Sequence, residues 1–119
     1  MAWDFNNNQP IYVQIVERIK IMIISGELKV SDKLSSVREL AEEAGVNPNT
    51  MQKALAQLEN EGLVYSERTS GRFISNDEGL IYNAKTTYAR DKIEETIELL
   101  LSIGYNKEEL LELVKNRLG

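Results

Sequence analysis

The chain has 119 residues, 42% of them hydrophobic, and a net charge of −5, which allows one ordinary domain with a small appendage and excludes a disordered chain. With no cysteine and no histidine, disulfides and thiolate metal sites are excluded, and the commonest general base is missing, so no cofactor and no enzyme is expected. No apolar run of about 18 residues and no secretory leader are evident, so a cytoplasmic protein without a membrane span is expected.

From the N-terminus, Ile11, Ile15, Ile19, Met22 and Ile23 fall at helical spacing between Pro10 and Ser25. They predict an amphipathic helix with Pro10 in its first turn and Gly26 as its stop. Glu27–Leu34 then reads as a linker, with Leu28, Val30 and Leu34 tucked beneath the helices that follow.

Ser36-Val37-Arg38-Glu39 matches a capping box and opens a second helix. Its buried side is Val37, Leu40, Ala41 and Ala44, and Gly45 ends it. Asn47-Pro48 opens a third helix, asparagine as cap and proline at the first position. Met51, Ala54, Leu55 and Leu58 form its core side. Its exposed start carries Asn49, Thr50, Gln52 and Lys53, whereas Glu59 and Glu61 lie at its far end.

Leu63–Glu67 and Arg72–Ser75 read as two short strands around a tip of Thr69, Ser70 and Gly71. Arg68 and Arg72 flank that tip, a pairing suited to phosphate or minor-groove contact. A joint over Asn76–Asn83 precedes a long amphipathic helix over Ala84–Ile103, and Asn106 caps a last helix. Tyr12, Tyr65, Tyr82 and Tyr88 read as packing residues rather than a ligand pocket. The domain boundary falls between residues 76 and 77.

The fold class is therefore mainly α with a small antiparallel β-hairpin: a winged helix-turn-helix followed by a two-helix appendage. Such a unit presents one helix to the major groove of DNA. Overall charge opposes this reading. Residues 1–75 hold eight Lys/Arg against ten Asp/Glu, and the remainder six against nine. Neither part is basic, so DNA affinity must come from local placement. The acid-free start of the third helix supplies it, reinforced by the partial positive charge of a helix N-terminus. A winged-helix module that binds protein and not DNA is the alternative.

One domain offers a small reading surface, so a homodimer on a palindrome is expected, its half-sites roughly one helical turn or a multiple of it apart. The stripe of Ile93, Ile97, Leu100 and Leu101 has too little chain of its own to bury it, and is expected to form the dimer interface. Double-stranded operator DNA and a second copy are thus the expected partners.

The segments QPIYVQIVERIKIMIISGEL, KLSSVRELAEEAGVNPNTMQKALAQLENEGLVY and RTSGRFIS occur in order across residues 9–75. They resemble the GntR family of transcription regulators, most of all its short YtrA-type branch, and the tail is similar to that branch's dimerisation appendage. The resemblance implies DNA contact by Ser36 and Arg38, by Asn49, Thr50, Gln52 and Lys53 at the start of the recognition helix, and by Ser70, Gly71 and Arg72 in the wing. Occupying a promoter would block polymerase, so repression is the expected activity.

Four positions depart from the family pattern. Ser35 replaces a proline, Val30-Ser31 replaces Pro-Gly, and Thr69 stands where a second wing glycine is common. Gln52 occupies a position that is often basic, which favours an amide reading adenine. The tail is far shorter than the ligand-sensing domains of larger members. A small-molecule effector would accordingly act by shifting how two subunits sit.

Overall fold

The computed structural model describes residues 2–119. In chain order the elements are α1 (Ile11–Ile24), α2 (Val37–Ala44), α3 (Pro48–Asn60), β1 (Val64–Glu67), β2 (Gly71–Ile74), α4 (Glu78–Ser102) and α5 (Lys107–Leu118). They divide into two units, Met1–Ala84 and Lys85–Gly119.

The first unit is built on the apolar stripes of three helices. Ile15, Ile19 and Ile23 of α1, Leu40, Ala41 and Ala44 of α2, and Met51, Ala54, Leu55 and Leu58 of α3 bury together with Leu34, Leu63, Val64 and Ile74. Ile11 and Met22 lie at the edge of the α1 stripe, exposed and half-buried. Pro10 is the N-cap of α1 rather than part of its first turn: its ψ of 145° is extended.

The capping box of α2 forms as its spacing predicts. Ser36 Oγ accepts from the Glu39 N–H, and Glu39 Oε1 accepts from the Ser36 N–H, at 3.1 and 3.0 Å. Gly45 closes α2 at φ 75°, where a side chain would be strained. A Cβ there would also meet the Ala2 Cβ at 2.7 Å, because the N-terminal arm crosses this corner. The Trp3 N–H donates to the Ala44 carbonyl, and Arg18 stacks over the indole. In α3, Asn47 Oδ1 accepts from the Asn49 N–H, and Pro48 occupies the first position.

β1 and β2 pair antiparallel with Val64 opposite Ile74, Tyr65 opposite Phe73 and Ser66 opposite Arg72. The Tyr65 and Phe73 rings stack across the strands at 5.6 Å. Gly71 is not part of the tip; it opens β2 opposite Glu67, and its φ of 113° is open to glycine but strained for other residues.

Three sequence expectations shift here. The linker does not merely pass beneath the helices. The Ser31 and Leu34 N–H groups donate to the Ile74 and Arg72 carbonyls, so residues 31–34 run along β2. Leu34 buries and Leu28 packs on the core, but Val30 stays 41% exposed.

The expected joint over 76–83 shrinks to three residues, because α4 starts at Glu78. Asp77 Oδ1 accepts from the Leu80 N–H at 3.0 Å, which caps the helix early. Leu80, Ile81 and Ala84 then pack on the core of the first unit. The division between the two compact units falls after Ala84, inside α4. No helix among the described residues is long and apolar enough to cross a membrane.

In the second unit, α5 has its own capping box between Asn106 and Glu109. The helices leave an apolar groove of about 620 Å³, lined by Ile93, Ile97, Leu100, Leu101, Leu111 and Val114 among others. Ile93, Ile97 and Leu101 are exposed, and Leu100 is half-buried.

Candidate nucleic-acid interface

With Met51, Ala54, Leu55 and Leu58 turned into the core, α3 holds Asn49, Gln52 and Lys53 on its exposed side and Thr50 half-buried at its edge. No acid occupies the first turn of α3. The two acids near its other end are engaged. Glu59 pairs with Arg72 at 3.2 Å, and Glu61 with Lys20 at 2.7 Å. Burial pushes the Glu61 carboxyl up, but hydrogen bonds from Lys20 and Gln57 outweigh it and hold it below its ordinary value. The negative end of α3 is thus tied to α1 and to β2, and its positive-dipole end is the open one.

Ser36 and Arg38 are exposed at the start of α2. Ser36 Oγ accepts the capping bond, which leaves its O–H able to donate outward. Glu39 reaches back to Ser36, and those hydrogen bonds hold its carboxyl below the usual range. Among the described residues, no acidic side chain lies within ion-pair distance of Arg38.

A cleft of about 390 Å³ is lined by Lys33, Ser35 and Ser36 on one side and Ser70, Gly71 and Arg72 on the other. It joins the start of α2 to the wing. Of the nine residues expected at DNA, Ser36 and the three wing residues therefore meet in one cleft, and Arg72 bonds to Gln52.

Two side chains sit differently from the sequence reading. Lys53 folds back with Nζ 4.0 Å from the centre of the Tyr12 ring. Such an exposed contact contributes only about 0.5–1 kcal/mol, so it sets a resting position rather than a lock. Arg72 does not stand free beside the tip. Its guanidinium donates to Glu59 and Gln52 of α3. The sequence reading missed this link, although one signal was present: Gln52 and Glu59 are seven residues apart, which puts them on one face of a helix.

Residues 11–74 match the family described as bacterial regulatory proteins, gntR family. The chain is 39% identical over 114 residues to the HTH-type transcriptional repressor YtrA of Bacillus subtilis (strain 168), covering 92% of this chain and 83% of that protein. A solved GntR family transcriptional regulator from Listeria monocytogenes is 38% identical with a TM-score of 0.89, over 94% of this chain and 98% of that one. The AraR DNA-binding domain, solved in complex with operator ORX1, is 28% identical with a TM-score of 0.57, over 63% of this chain and 99% of that one.

Proposed function

This chain belongs to the gntR family of bacterial regulatory proteins, in its YtrA-like branch, and is a DNA-binding transcriptional regulator and not an enzyme; from that premise we propose that it works as a homodimeric repressor on a palindromic operator. The observation that carries the reading is the polarity of α3. Its outward N-terminal half holds only amides, a hydroxyl and Lys53, and both of its acids are neutralised at the far end. That polarity lets a chain of net charge −5 approach phosphates.

In this reading Arg38 and Lys53 contact phosphates and set register, joined by Ser36 at the start of α2 and by Ser70 and Gly71 in the wing. Asn49, Thr50 and Gln52 face base edges in the major groove. The apolar stripe of exposed Ile93, Ile97 and Leu101 with half-buried Leu100 supports dimerisation through the tail. Two copies would present two recognition helices to one duplex, and occupancy of a promoter would exclude polymerase. An effector would act by changing how the copies sit on each other. Such a regulator acts where the chromosome lies, in the cytoplasm.

Selection of bound sites from a pool of random duplexes tests this reading. The expected product is an inverted repeat with half-sites about 10 bp apart or a multiple of it. Enrichment of single, unpaired half-sites would contradict the dimer, and no enrichment at all would contradict sequence-specific binding.

A further inference from the structure

Four residues of the hairpin and α3 form one connected network. Glu59 Oε1 accepts from Arg72 Nε at 3.2 Å and from Ser66 Oγ at 2.8 Å. The other arm of the guanidinium, Nη1, donates to Gln52 Oε1 at 3.3 Å. The Arg72 side chain is only 19% exposed, so it is held against α3 and not spread over the rim of the wing.

A guanidinium carries donors and no acceptor, so an amide can face it only through its oxygen. The Gln52 oxygen is thereby turned toward Arg72, and the two N–H groups of its Nε2 are left for whatever approaches the exposed face of α3. An unrestrained glutamine can read adenine by using its oxygen and nitrogen together. Guanine instead offers two adjacent acceptors, N7 and O6, and no donor on that edge.

Resting on the DNA-binding reading above, we propose that Arg72 is a positioning residue: anchored by Glu59, it fixes the Gln52 amide so that it meets the operator as a donor and selects guanine. The wing then contributes to base choice through α3 without touching the base. This replaces two expectations from sequence alone, an adenine-reading Gln52 and a phosphate-gripping Arg72.

The test is site selection from the random duplex pool with the wild type and with Gln52→Ala, Arg72→Met and Glu59→Gln, followed by affinity for the selected duplex across a salt series. The wild type is expected to enrich guanine at the half-site position that Gln52→Ala makes degenerate. Arg72→Met is expected to lose that preference by about fivefold or more, keeping the rest of the motif. Its salt slope should match the wild type's.

A phosphate contact would behave otherwise: Arg72→Met would weaken all sequences alike and make the slope shallower by about one per arginine lost. That result, guanine retained in Arg72→Met, or adenine selected by the wild type at the Gln52 position, overturns the proposal. Glu59→Gln keeps the arginine and guards against a folding defect in Arg72→Met. It is expected to relax the same position, and a folded Glu59→Gln protein with an unchanged motif also overturns the proposal. If the wild type enriches no sequence, the failure lies with the DNA-binding reading itself.

Discussion

Lys20 Nζ lies 2.7 Å from Glu61 Oε1, joining α1 to the C-terminal end of α3. The carboxyl is held below its unfolded value, so the pair stabilises the fold above the ordinary glutamate range of about pH 4.3. That contribution is lost as the pH falls through the lower, folded value. Both side chains keep a quarter to a third of their surface in water, at 24% and 30%, so screening limits the pair to under about 1 kcal/mol. Lys20→Met is expected to lower the melting temperature at neutral pH by no more than about 5 °C, with the gap to wild type closing in acid. Thermal melts from pH 7 to pH 3 check this; a gap that widens in acid would count against it.

Ser31 has a φ of 65°, a left-handed conformation, where the linker turns to run along β2. That conformation costs a non-glycine residue about 1–2 kcal/mol, and glycine's extra freedom in the unfolded chain returns about half of it. Ser31→Gly should therefore stabilise the protein by about 0.5–1 kcal/mol. Denaturant titration reads this as a higher midpoint at unchanged slope, and a lower midpoint would refute it.

Arg38 is exposed at the start of α2. Replacing it by alanine should leave stability within about 0.5 kcal/mol. Affinity for duplex DNA should fall similarly for all sequences, and the salt slope of a dimer should become shallower by about two, one for each protomer. Gel-shift titrations over a salt series decide this, with unchanged affinity and slope ruling out the phosphate contact.

In the tail, Leu100 and Leu101 sit in the apolar groove with Ile93 and Ile97. A pair of aspartates there would place charge in the proposed dimer interface, which dimerisation would have to keep dry. The double variant Leu100→Asp, Leu101→Asp is expected to sediment as a monomer, bind DNA weakly and retain the helical spectrum. A dimer under the same conditions would show that the copies meet elsewhere.

Much of the first unit was legible because local chemistry and burial agree there. Ser36 with Glu39, Asn47 with Pro48, and the stripe Met51, Ala54, Leu55, Leu58 each state one helix boundary or face, and the fold uses all of them. The start of α4 was obscured because Gly79 and Asn83 look like a joint. The Asp77 cap and the burial of Leu80 and Ile81 override that weak propensity. The wing was legible as two strands, but not the direction of Arg72. A sequence gives the position of an arginine along the chain, while its choice between solvent and Glu59 depends on the distance from β2 to α3, which only packing sets. The same holds for Lys53, whose partner Tyr12 lies on a helix distant in sequence.

The most direct measurement is the affinity of the wild-type protein for random duplex DNA from about 50 to 300 mM salt. Two phosphate-contacting cations in each of two protomers give an expected slope of log K against log salt of about −4. A flat line would mean that this acidic chain does not displace counterions from a duplex, and that the open face of α3 serves a protein rather than DNA.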